Sequence, residues 1–148
     1  MIDAVAATWS ELTSELLQRD GYRSARARRV VVDVLARADC CLSVPEIVET
    51  ARAAGETVGV ASVYRVLELL VDKGVVQKID LGGERAHYER VDHAQHHHHL
   101  VCNECGRVEP FSDRELEAAL EGVQARAGFA VASHDVLLRG ECDDCRAA

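Results

Sequence analysis

At 148 residues and 16.2 kDa the chain has room for one ordinary domain or two small ones. Its 48% hydrophobic and 28% charged residues suit a packed core, not a disordered chain. A net charge of −8, from 17 basic and 25 acidic side chains, argues at whole-chain scale against a general nucleic-acid or membrane-surface binder. No apolar run approaches the ~18 residues of a membrane span, and Met1-Ile2-Asp3-Ala4 lacks the basic start of an export signal, so the expected compartment is cytoplasmic.

The first half reads as helices. Trp9, Leu12, Leu16 and Leu17 follow helical spacing up to Gly21, and Val30, Val31, Val34 and Leu35 make a second apolar face. Ser43-Val44-Pro45-Glu46 reads as a capping box with proline in the first turn, opening a third helix that ends near Gly55. A fourth is expected over residues 60–73, with Val63, Val66, Leu67 and Leu70 inward and Gly74 as its stop. Residues 75–81 and 85–89 then form an expected hairpin around Gly82-Gly83. This succession is a winged helix-turn-helix pattern; a helical bundle carrying a hairpin fits it too.

In the second half, residues 100–102 and 107–111 read as strands and Ser112-Asp113-Arg114-Glu115 as a capping box. The helix it opens runs through Arg126 and ends at Gly128, and residues 131–139 read as a third strand. The unit looks too thin in core to stand alone. The fold class is therefore α+β, with residues 1–88 as a winged-helix domain, 89–95 as a hinge and 96–148 as a small α/β domain.

Cys102-x-x-Cys105 and Cys142-x-x-Cys145 carry the strongest chemical signal. Two thiolates three residues apart on a tight turn supply two corners of a tetrahedron, and a second such pair completes a closed, structural zinc site. An iron–sulfur cluster and four unrelated cysteines are the alternatives. Six of the seven histidines lie between His87 and His99. If His96 to His99 form a strand, His96 and His98 face one side and His97 and His99 the other, so one run feeds two metal sites. Candidate partners are Glu117, His134, Glu89, Asp92, His93 and the Cys40-Cys41 pair. A solvated run that binds metal adventitiously is the alternative.

Together, Gly59-Val60-Ala61-Ser62-Val63-Tyr64-Arg65-Val66-Leu67 and His96-His97-His98-His99-Leu100-Val101-Cys102-Asn103-Glu104-Cys105-Gly106 resemble the ferric-uptake regulator family of bacterial metal-sensing repressors, over roughly residues 20–146. The resemblance implies a homodimer that binds double-stranded operator DNA through its first domain and dimerises through its second. It matches Cys102, Cys105, Cys142 and Cys145 to a structural zinc. His97, His99 and Glu89 match ligands of a regulatory site, with Cys41 where the family usually has histidine. His96, His98, Glu117 and His134 match a further site. Cys41 softens the ligand set, and histidine at position 98 is commoner in zinc sensors, so both favour zinc over iron(II). The linker cysteine typical of zinc sensors is absent, with Asp92 or His93 near its place, which keeps an iron-sensing repressor as the alternative. Peroxide sensors generally carry aspartate where Glu89 stands.

By the same resemblance, Tyr64 and Arg65 on the fourth helix are DNA contacts, joined by Ser62 and by Arg23, which lies in an arginine cluster with Arg19, Arg26, Arg28 and Arg29. Tyr64 as a half-buried core aromatic, and the cluster as a solvated face, are the plainer readings. Charge location reconciles the cluster with the acidic total: residues 1–80 carry −2 and residues 81–148 carry −6. A metal buffer and a zinc enzyme, neither binding DNA, are the rivals. The chain lacks the His-Glu-x-x-His motif and the zinc-deaminase pattern, so no enzyme is expected.

Overall fold

The computed structural model describes residues 2–22, 25–92 and 96–147, and divides the chain into two compact units, Met1–Val91 and Asp92–Ala148. Arg23 and His93 lie outside the described residues. No described helix is long and apolar enough to cross a membrane.

The first unit contains α1 (Ile2–Arg19), α2 (Arg26–Arg37), β1 (Leu42–Ser43), α3 (Val44–Ala53), α4 (Val60–Asp72), β2 (Val76–Ile79) and β3 (His87–Arg90). Valines at positions 30, 31, 32 and 34 bury a broad face of α2 against Ile47 and Ala51 of α3 and Val63, Val66, Leu67 and Leu70 of α4. These are the apolar positions that helical spacing selects. Glu46 fixes the start of α3: its carboxylate accepts from the Ser43 amide (2.7 Å) and the Ser43 hydroxyl (2.6 Å). Gly74, at φ +70°, provides the left-handed turn that stops α4.

The expected hairpin is present, with β2 and β3 antiparallel over shorter spans, and β1 adds a third antiparallel strand in the order β1-β3-β2, with Leu42 opposite Tyr88 and Gln77 opposite Glu89. A two-residue strand is too short for its alternation to show in sequence.

The second unit contains β4 (His98–Cys102), β5 (Val108–Phe111), α5 (Arg114–Ala127), β6 (Leu137–Gly140) and α6 (Asp143–Arg146). Its sheet order is β5-β4-β6, antiparallel between β4 and β5 and parallel between β4 and β6. Two expectations are corrected. Asp113, not Ser112, caps α5, its carboxylate accepting from the amides of Glu115 and Leu116 at 2.9 Å, while Ser112 Oγ donates to the His96 carbonyl at 3.1 Å. The expected strand over 131–139 also shortens to Leu137–Gly140. Among the described residues of this unit, only His98, His99 and Cys102 are buried, and α5 buries none. Its buried side chains are therefore two imidazoles and a thiol, not hydrocarbon.

Candidate metal centres

Cys102 ends β4 and Cys105 lies on the turn that follows; Gly106, at φ +74°, closes that turn by donating its amide to the Cys102 carbonyl at 3.0 Å. Parallel pairing sets Cys102 opposite Gly140, so β6 delivers Cys142 and Cys145 beside the first pair. The four sulfurs lie within 4.8 Å of one another, with Cys105 and Cys142 3.8 Å apart. Zn–S bonds of 2.3 Å at a tetrahedral angle give an S···S edge of about 3.8 Å, so the set fits a four-sulfur cation. Amides of Cys105 and Cys142 directed at the Cys102 sulfur bring its thiol down to about 6. Hydrogen bonding to Cys142 and Cys105 pushes Cys145 up to about 12. Cys102, Cys105, Cys142 and Cys145 could together hold a dication, whose charge would favour the thiolate form of all four.

The second group lies wholly within the same unit. Glu117, in the first turns of α5, is the hub: Oε1 lies 2.6 Å from His98 Nε2 and Oε2 lies 2.9 Å from His134 Nε2. His96 Nε2 stands 3.1 Å from His134 Nε2. The Val136 amide lies 3.2 Å from His98 Nδ1 and helps orient the ring with Nε2 toward Glu117. The hydrogen bond from His98, and behind it the charge of His134, hold the Glu117 carboxyl below the usual carboxylate range. Three imidazole nitrogens and one carboxylate oxygen within 4.8 Å suit a borderline divalent cation.

The residues expected at the regulatory site are divided between the units. In the second, His97 and His99 stand with ring centroids 5.1 Å apart, His99 buried. In the first, Glu89 is buried on β3, and the Cys40 sulfur lies within 4.8 Å of a Glu89 carboxylate oxygen. Cys41 is 4% exposed, with its sulfur 3.9 Å from that of Cys40. The Cys40 thiol, burial and the charge of Glu89 push the Cys41 thiol well above its ordinary range.

Two residues beside this pair escaped the sequence reading. Gln77 Nε2 donates to Glu89 Oε1 at 2.6 Å, and Arg90 donates to the Ala36 carbonyl at the end of α2. The first follows from pairing across the sheet and the second from a contact between β3 and α2; a linear pattern displays neither.

On α4, Tyr64 is 46% exposed, Arg65 is exposed and Ser62 is half-buried, while the opposite face packs inward. Tyr64 is therefore not a core aromatic. The arginine cluster is partly committed inside the unit: Arg26 pairs with Glu56 at 2.7 Å, and Arg28 lies over the Tyr22 ring at 5.5 Å.

Comparison with known proteins agrees with this arrangement. The profile of the "Ferric uptake regulator family" matches residues 19–139. The "Ferric uptake regulation protein" of Escherichia coli (strain K12) is 34% identical over 134 residues, covering 88% of this chain and 89% of that protein. The "Zinc uptake regulation protein" of Mycobacterium tuberculosis (strain ATCC 25618 / H37Rv) is 35% identical over 127 residues, covering 85% and 96%. Among solved structures, the Vibrio cholerae ferric uptake regulator superposes with a TM-score of 0.75 at 31% identity, covering 86% of this chain and 98% of that one. The Helicobacter pylori regulator, described as having three functional metal binding sites, superposes with a TM-score of 0.81 at 26% identity, covering 95% and 93%.

Proposed function

Since the chain belongs to the ferric uptake regulator family, we propose that it is a cytoplasmic, zinc-sensing transcriptional repressor and not an enzyme. Loading with metal would strengthen its grip on double-stranded operator DNA. Donor chemistry supports the zinc assignment: the Cys40 sulfur stands within 4.8 Å of the buried Glu89 carboxylate, and the Cys41 sulfur lies 3.9 Å from that of Cys40. Sulfur with imidazole suits zinc better than iron(II), whose preferred donors are harder. The iron-sensing reading is supported by the ferric relatives at similar identity.

In this reading Cys102, Cys105, Cys142 and Cys145 hold a structural zinc, which when bound cross-links the start of the second unit to its end. Cys41, Glu89, His97 and His99 take the sensed cation, and His96, His98, Glu117 and His134 hold a further one. As the family resemblance implies, binding of the sensed ion would favour the DNA-binding arrangement. By linkage, whatever binds that arrangement better raises DNA affinity by the same factor.

Exposure of Tyr64 and Arg65 supports α4 as the helix that enters the major groove, with Ser62 on the same helix; the family resemblance adds Arg23 as a further DNA contact. A homodimer through the second unit is supported by the apolar side chains it leaves exposed: Leu100, Val123, Phe129, Val131 and Leu138.

The test is a mobility-shift titration on an operator selected from random duplex DNA by the zinc-loaded protein, with zinc and iron(II) compared. Cys41→Ala and His97→Ala should abolish the metal-dependent component while sedimentation still shows a dimer. Unchanged metal dependence in both variants would overturn the assignment. Arg65→Ala should lower the salt slope of binding by about one unit if Arg65 contacts phosphate.

A further inference from the structure

Vicinal cysteines occupy the segment between α2 and β1, and the ligand set above uses only one of them. The Cys40 and Cys41 sulfurs are 3.9 Å apart, close to the 3.8 Å between Cys105 and Cys142 in the four-sulfur group. Both values match the edge of a tetrahedron around one thiolate-bound cation, about 3.8 Å for Zn–S bonds of 2.3 Å. Cys40 is also the cysteine whose sulfur lies within 4.8 Å of a Glu89 carboxylate oxygen.

The surrounding framework holds these atoms together. Pairing of Leu42 with Tyr88 brings the residue after the thiol pair opposite the residue before Glu89. The bond from Arg90 to the Ala36 carbonyl ties the other end of the segment to β3. Gln77 Nε2 donates to Glu89 Oε1 and helps hold the carboxylate in place.

We propose that Cys40 and Cys41 together form a two-sulfur edge for a single thiophilic divalent cation, with Glu89 supplying an oxygen from the same unit. The proposal rests on the reading that this region takes the sensed metal, and it deepens that reading by making sulfur the basis of selectivity. A second sulfur raises affinity for zinc, cadmium and cobalt(II) far more than for iron(II) or manganese(II), which prefer oxygen and nitrogen.

The direct test uses the unmutated full chain loaded with cadmium-113. Proton–cadmium correlation spectra should show one cadmium coupled to the β-protons of both Cys40 and Cys41. That cadmium should be distinct from the one coupled to Cys102, Cys105, Cys142 and Cys145. Coupling to only one of the vicinal cysteines, or to neither, overturns the proposal. Cys40→Ser, at the more accessible of the two positions, should lower the zinc-over-manganese(II) affinity ratio by about tenfold or more. An unchanged ratio counts against the two-sulfur edge.

The two ideas fail separately. Metal-dependent DNA binding with single-cysteine coupling sinks the edge and keeps the sensor. Double coupling with metal-independent DNA binding sinks the sensor and keeps the edge.

Discussion

Cys102→Ser should unfold the second unit while leaving the first folded. Cys102 is the buried member of the four-sulfur group, and it anchors more than a metal. Its amide donates to the Arg107 carbonyl at 2.9 Å, its carbonyl accepts from Gly106, and its sulfur receives the Cys142 amide at 3.4 Å. Structural zinc contributes on the order of 10–16 kcal/mol of apparent binding free energy in small zinc domains. Whole domains are stable by only about 5–15 kcal/mol. No hydrocarbon side chain compensates, because the only other buried residues described in this unit are His98 and His99. The first unit has its own core of helix-borne valines and leucines and should not respond. Hydrogen exchange read residue by residue, with metal content measured on the same sample, separates the two units. The variant should lose protection over His98–Cys102 and Leu137–Gly140 while α2 and α4 keep theirs. Full protection of both strands in protein without zinc would refute the claim that metal replaces the missing core.

Leu67→Ala should destabilise the first unit by about 2–5 kcal/mol, read as a shift of its urea midpoint, since Leu67 is 0% exposed at the centre of the cluster. Gln77→Leu removes the donor to Glu89 Oε1 and should cost about 1 kcal/mol in the metal-free protein, because Gln77 is exposed and water can partly replace it. Glu117→Ala takes the hub from the His96, His98 and His134 group and should lower the metal bound per chain, measured by elemental analysis, while the four-sulfur zinc remains.

Much of the fold is legible because the first unit is built from long periodic segments. Helical spacing selects Val63, Val66, Leu67 and Leu70, and these are the residues α4 buries. Short elements and competing polar contacts are the less legible part. Ser112 and Asp113 are both good caps, and only the third dimension reveals that Ser112 is engaged by the His96 carbonyl. Residues 131–136 have strand-like composition, yet β6 pairs with β4 only from Leu137 onward. Ligand identity is legible where spacing is local, as in the two Cys-x-x-Cys pairs. It is less so for Cys40 and Cys41, whose relation to Glu89 depends on strands paired across some 46 positions of sequence, as Leu42 is with Tyr88. Net charge misleads when taken over the whole chain, because −6 of the −8 belongs to residues 81–148.

The central claim is that metal loading and DNA binding are coupled. The most direct measurement is the dissociation constant of the selected operator for the protein carrying only its four-sulfur zinc, and again after saturation with zinc, at one fixed salt concentration. Saturation should tighten binding by about 5–150-fold, a coupling of about 1–3 kcal/mol. Equal dissociation constants in the two states would contradict it.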